Sequence, residues 1–437
     1  MIGIVDDQAK DVALRTWIEA TTGASIKAIH RVSGGAFRTS SLVELVGPGD
    51  RQGCAFLKID LGSAPKTPFD LRREHGLLAR LDGHARAPRT IGWHEGATAM
   101  AMHCLPGEAV YAKIRDDAHR ERIERSFAEA LVECHAIDIA SLALDHLPAG
   151  LSIRQAIEQE LAMWEALLDE RVADPDPLTL FAFRWLHHRL PADDRPAVLV
   201  QGDAGPGNFL FDDERVTGLV DWEMTHLGHP LEDLGCVLAR SLVQPMTSAD
   251  RLLALYRQAS GAVWRREELL YVTVLVMARF SVPIALALES RHTGLDYGLT
   301  NSYFRLSQIS LVRLIARAEN VALDESVPTA GARPPIDFEF EYLRDVLGNI
   351  VKPAVDDPYV GYRLDGAIGL INYLGAALGT ETPSERADRE TLRKLYAEQI
   401  ATGEIRATLQ DFLTEALWRE VLMRDMLGPL HGRRVEL

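Results

Sequence analysis

The chain is short of the features that mark several large protein classes. Only four of its 437 residues are cysteine, and Cys54, Cys104, Cys134 and Cys236 sit at no metal-knuckle or redox-motif spacing. That argues against a disulfide-stapled scaffold and points to a reducing compartment. Positive charge is in deficit, with 47 Lys plus Arg against 63 Asp plus Glu and a net charge of −16. A nucleic-acid binder needs a basic face to displace counterions, so that class is set aside. The stretch Met1-Ile-Gly-Ile-Val-Asp-Asp7 has neither the basic start nor the apolar core of a signal peptide. Long apolar runs are missing apart from Leu269 to Leu288. That run carries Arg279 and Pro283 inside it, and Glu267, Glu268 and Glu289 bracket it. A buried helix kinked at Pro283 fits these residues better than a membrane span. The expectation is a cytoplasmic protein with no nucleic-acid and no membrane partner.

What is present is an ordinary globular composition, 47% hydrophobic and 25% charged, in a chain long enough for roughly two to three domains. Residues 11–21 read as a helix. Ile26–Val32, Thr39–Val46 and Cys54–Ile59 read as strands of an antiparallel meander, separated by Ser33-Gly-Gly-Ala-Phe-Arg38 and Gly47-Pro-Gly-Asp50. The leucine spacing predicts a helix over Asp70–Leu81, and two more strands follow before a break at Leu105-Pro-Gly107. Beyond it the pattern is helical, interrupted by a short strand at Ala197–Val200 and a small hairpin over 209–220. Ser326-Val-Pro-Thr-Ala-Gly-Ala-Arg-Pro-Pro335 reads as a linker, and helical periodicity resumes after it. The expected boundaries are 1–104, 105–325, 326–335 and 336–437.

The chemistry concentrates in Leu199-Val-Gln-Gly-Asp-Ala-Gly-Pro-Gly-Asn-Phe-Leu210 and Leu219-Val-Asp-Trp-Glu223. Asp203, Asn208 and Asp221 have the order and spacing of a kinase catalytic loop and the metal-binding Asp that follows it. One carboxylate orients an attacking hydroxyl and accepts its proton. Two oxygen ligands hold magnesium on nucleotide phosphates. Upstream, Lys58 in Ala55-Phe-Leu-Lys-Ile59 offers a point charge from an apolar strand, and Glu74 on the next helix is its natural partner. Ser33, Gly34 and Gly35 form a loop whose backbone amides could approach phosphate oxygens. The pairs His187–His188 and His226–His229 lack the pattern of a zinc site.

These residues together resemble the aminoglycoside phosphotransferase and choline kinase-like family of small-molecule kinases, over roughly residues 20–320. His229-Pro-Leu-Glu-Asp-Leu-Gly235 fits that resemblance as well. It implies an α+β, two-lobed protein kinase-like fold with a β-rich N-lobe and a mainly helical C-lobe, here followed by a C-terminal helical domain. It implies Asp203 as catalytic base, Asn208 and Asp221 as magnesium ligands, and Lys58 as a phosphate contact. Asp233 would brace the lobe, and adenine would lie near His103, Cys104 and Leu105. The cofactors expected are ATP and Mg2+, and the partner a small-molecule hydroxyl, with a homodimer left open. The chain departs from the family in carrying Gln201 where a supporting His is usual, which puts the bracing of the loop in doubt. For the acceptor, a hydroxy acid or hydroxyacyl-CoA is weighed against an aminoglycoside or other antibiotic. A non-catalytic nucleotide-binding regulator is the alternative of another class.

Overall fold

The computed structural model describes residues 8–32, 38–49, 51–60, 68–290, 297–326, 337–377 and 388–437. Ser33, Gly34 and Gly35, the expected phosphate loop, lie outside the described residues. The chain opens with α1 (Gln8–Thr22) and then β1 (Ser25–Val32), β2 (Arg38–Gly47) and β3 (Arg51–Asp60). Helix α2 (Leu71–Leu81) precedes β4 (Thr90–His94) and β5 (Ala99–His103). All neighbours in this sheet are antiparallel, in the order β1-β2-β3-β5-β4.

Helices α3 (Asp117–His135), α4 (Ile139–Leu142), α5 (Ile153–Arg171) and α6 (Pro177–His188) follow. Four short strands come next: β6 (Val198–Val200), β7 (Phe209–Phe211), β8 (Val216–Leu219) and β9 (His226–Gly228). The remainder is helical, with α7 (Glu232–Arg240), α8 (Ala249–Ser260), α9 (Arg266–Ser290), α10 (Tyr297–Ala318), α11 (Asp337–Val346), α12 (Pro358–Ala377), α13 (Arg389–Thr402) and α14 (Arg406–Leu422). An antiparallel sheet followed by helices is the α+β class expected.

The chain divides into two compact units that alternate along the sequence. One is Met1–Ile157, Asp193–Val237 and Gln244–Trp264. The other is Glu158–Ala192, Leu238–Val243 and Arg265–Leu437.

In the first unit the period of two along β3 separates two faces. Ala55, Leu57 and Ile59 join Val43, Leu45, Ala99 and Ala101 in a core that Leu14 and Ile18 of α1 complete. Lys58 therefore points to the opposite face, where α2 lies. Helix α2 begins on the Asp70 carboxylate, which accepts from the Arg73 amide, and buries Leu71, Leu77, Leu78 and Leu81. Glu74 is buried in the same stripe.

The cysteine reading needs correction. Cys54 and Cys104 are joined by a disulfide with a Cα–Cα distance of 5.6 Å. The β3–β5 ladder pairs Ala55 with His103, so the next positions outward bring Cys54 opposite Cys104. Pairing by strand register leaves no local spacing to detect. Cys134 and Cys236 are buried thiols outside any disulfide.

In the second unit, α9 is the one described helix long and apolar enough to cross a membrane, and 72% of its most apolar window is buried. It packs against α6 and α10. Pro283 lies inside it, and Arg279 donates to Glu160 of α5 at 2.9 Å with both side chains buried. Helix α14 packs on α10, and α13 on α6.

Candidate active site

Asp203 sits in the loop between β6 and β7. That loop is held from below by one carboxylate. The buried Asp233, at the start of α7, accepts the amide of Gln201 at 2.9 Å on one oxygen and the amide of Gly202 at 2.8 Å on the other. The His135 ring lies 3.0 Å from Asp233 and bonds Tyr256 on its other nitrogen. Burial alone would raise the Asp233 pKa. The His135 contact and the two amides reverse this and hold it below the usual carboxylate value.

Gln201 does the bracing that was in doubt. Its side-chain amide donates to the carbonyls of Val220 and Asp221 at 2.9 and 2.7 Å, and its oxygen accepts the Asp203 amide at 2.8 Å. Gly202 then turns the chain with φ +87°, and a side chain there would overlap the Met224 carbonyl. Both features direct Asp203 out of the loop.

Asn208 fixes the Asp203 side chain. Its Nδ2 donates to the Asp203 carbonyl at 2.8 Å and to Oδ2 at 2.7 Å. The β7–β8 hairpin pairs Phe209 with Leu219, and the Val220 amide donates to the Asn208 carbonyl at 2.9 Å. Asn208 and Asp221 thus flank the two strands at the same end of the hairpin. Asp221 has the unusual φ of +62° for a residue with a side chain, maintained by Gln201 on its carbonyl.

From the sheet side, Lys58 donates to both oxygens of Glu74 at 3.0 and 2.9 Å and to Asp221 at 2.7 Å. Glu74 also accepts the Trp222 amide at 3.1 Å, so α2, β3 and the Asp221 turn meet on one carboxylate. Burial by itself would depress the Lys58 pKa. The carboxylates of Asp221, Glu74 and Glu223 outweigh it, and the net shift is upward. Lys58 is therefore a fixed positive charge.

Arg38 was not foreseen in this cluster; Glu223, whose place in the sequence left open either a metal or substrate contact or a plain helix-start carboxylate, belongs to it. Arg38, the first residue of β2, donates to Glu223 and, at 2.6 Å, to the Phe69 carbonyl. Glu223, one residue past Trp222, is pushed up to about 7 by burial and by Asp221, with Lys58 and Arg38 opposing. The sequence signal for Arg38 was its parity. It lies two residues from Ser40, which pairs with Lys58, so both cations share one face of the sheet.

His103 ends β5, exposed, with its amide on the Arg89 carbonyl. Leu105 packs over Gly218 of β8, which has no room for a side chain. Neither touches the Lys58 cluster among the described contacts. His226 and His229 are engaged locally, His226 with the Met224 carbonyl and His229 accepting the Leu231 amide.

The ligand atoms of Glu74, Asp221 and Glu223 lie within 4.8 Å of one another. This is an all-oxygen set of the kind that suits a hard divalent cation.

A model of the phosphotransferase enzyme family matches residues 29–270, more than half of the chain. The chain belongs to the phosphotransferase enzyme family. Among curated proteins this phosphotransferase is similar to acyl-CoA dehydrogenase family member 11 of Rattus norvegicus, 32% identical over 27% of this chain and 15% of the rat protein. It is also similar to the uncharacterized protein YcbJ of Bacillus subtilis, 29% identical over 32% of this chain and 45% of that one. The chain thus spans well under two thirds of the curated relatives it matches. Among solved structures, a "putative aminoglycoside phosphotransferase" from Ralstonia eutropha superposes with a TM-score of 0.52 at 16% identity, covering 68% of this chain and 94% of that one. That likeness shows the kinase-like fold.

Proposed function

We propose that this phosphotransferase transfers the γ-phosphate of ATP to a hydroxyl of a small hydroxy acid or hydroxyacyl-CoA. The observation that carries the reading is the Asp203 carboxylate, held by Asn208 in a loop that Asp233 and Gln201 fix from beneath. Asp203 orients the acceptor hydroxyl and takes its proton as the acceptor oxygen bonds to phosphorus. The bond from phosphorus to the ADP oxygen breaks in the same displacement. Asn208 and Asp221 would hold magnesium, whose part is to neutralise phosphate charge, and Lys58 would contact the phosphates.

The acceptor class is supported by the name of the rat relative, in which a segment like this one belongs to a protein named for acyl-CoA chemistry. The test is ADP release by the full chain with Mg2+ and ATP, screened over hydroxyacyl-CoAs, free hydroxy acids, aminoglycosides and choline, with phosphorus NMR on the product. Phosphorylation of a hydroxyacyl-CoA or hydroxy acid is expected. Turnover confined to aminoglycosides would contradict the acceptor class. ATP binding without turnover on any acceptor would favour a regulator.

A further inference from the structure

We infer that Arg38 is the second cation of the nucleotide site, and that with Lys58 it sets the balance between binding a polyphosphate and binding a bare divalent cation. The inference rests on the kinase reading given above.

Arg38 opens β2 opposite Asp60, and Ser40 lies opposite Lys58, so the two basic side chains leave the same face of adjacent strands. The guanidinium is held nearly out of solvent, with the side chain 10% exposed. It bonds Glu223 and the Phe69 carbonyl and lies 3.7 Å from Glu74. Its Nε is buried, with no hydrogen-bond partner among the described residues. A guanidinium on the same face of the sheet as a lysine already committed to two carboxylates is a second cation suited to an anion.

The local charge shows what Arg38 changes. With all three carboxylates ionised, Glu74, Asp221 and Glu223 contribute −3, and Lys58 and Arg38 contribute +2, for a sum of −1. Without the Arg38 charge the sum falls to −2. Lys58, 3.7 Å from Glu223, would then be drawn toward that carboxylate and away from the phosphates. The cluster would attract a divalent cation more strongly and repel a polyphosphate more strongly. The two effects have opposite sign. A residue that merely supported the fold would weaken both ligands together or neither.

The experiment is calorimetry on the full chain with two probes, Mg·ADP and Mn2+ alone. It compares wild type, Arg38→Gln and Arg38→Lys, with thermal melts to confirm folding. Arg38→Gln should bind Mg·ADP roughly ten-fold or more weakly and Mn2+ a few-fold more tightly, as removal of one nearby charge requires. Arg38→Lys, which keeps the charge but not the planar fork, should recover most of the Mg·ADP affinity and lose the gain for Mn2+. If Arg38→Gln binds Mg·ADP like wild type, or weakens both probes in parallel, the inference is overturned while the kinase reading stands. If wild type itself binds no Mg·ADP, the kinase reading fails and takes this inference with it.

Discussion

Asp233 does no chemistry, yet the account makes the catalytic loop depend on it. The carboxylate is fully buried and accepts three hydrogen bonds, at 2.9, 2.8 and 3.0 Å, from Gln201, Gly202 and His135. Bonds to an ionised group are worth about 1.5–3 kcal/mol each, so the three sum to at least ~4 kcal/mol before relaxation. Asp233→Asn keeps the shape and one acceptor but turns an NH2 toward one of the donors. A loss of about 3 kcal/mol is expected, lowering Tm by roughly 3–6 °C. Displacement of Asp203 should cut kcat by about a hundred-fold, because sub-ångström errors in positioning are expensive. Nucleotide KM should move little, since Asp233 touches neither Lys58 nor Asp221. The measurements are a thermal melt and steady-state kinetics on the full chain. An Asp233→Asn protein within ~1 kcal/mol of wild type and with full kcat would refute the reasoning.

The same residue gives a pH dependence. Its folded pKa lies below the unfolded value of about 3.9, so its stabilisation is complete above that value. As pH falls through the lower, folded value, the stabilisation is lost. Wild type should therefore be destabilised by acid in this range more than Asp233→Asn is, as read by melts from pH 6 to 3.

Further expectations follow from single contacts. Gly202→Ala places a Cβ on the Met224 carbonyl at a left-handed φ and should cost about 2 kcal/mol or more with a large loss of kcat, seen by melt and turnover. Reducing the Cys54–Cys104 disulfide, which closes 50 residues, should lower stability by roughly 2–4 kcal/mol in a denaturant titration, and Cys54→Ala should abolish the response to reductant. In the second unit, Arg279→Met should destabilise by about 3 kcal/mol, because it leaves the buried Glu160 without its charged partner; the double change with Glu160→Gln should recover part of the loss.

Much of the site was legible because its residues break local rules. Glu74 is a charge inside the apolar stripe of α2, and Lys58 interrupts an apolar strand; each violation makes sense only beside the other. The glycines around Asp203 and the shortness of β6, β7 and β8 placed the loop in sequence, and helix α9 was legible as buried from Arg279 and Pro283. The misses have a different origin. The disulfide and the place of Arg38 follow from strand register, which depends on how β2, β3 and β5 align and leaves no trace in any one segment. The strand β9 is three residues long and exists because it pairs with β6, a contact between residues 26 or more apart. Gln201, standing where the family usually has His, put the bracing of the loop in doubt. The structure shows its amide spanning the Val220 and Asp221 carbonyls while its oxygen holds the Asp203 amide, a three-point brace.

The central claim is that Asp203 serves as the base of a phosphoryl transfer. Asp203→Asn tests it most directly, because the change removes the proton acceptor and preserves the shape that Asn208 holds. The prediction is a loss of turnover of about 10²–10⁴-fold with Mg·ADP affinity within a few-fold of wild type. Near-wild-type turnover in Asp203→Asn would contradict it.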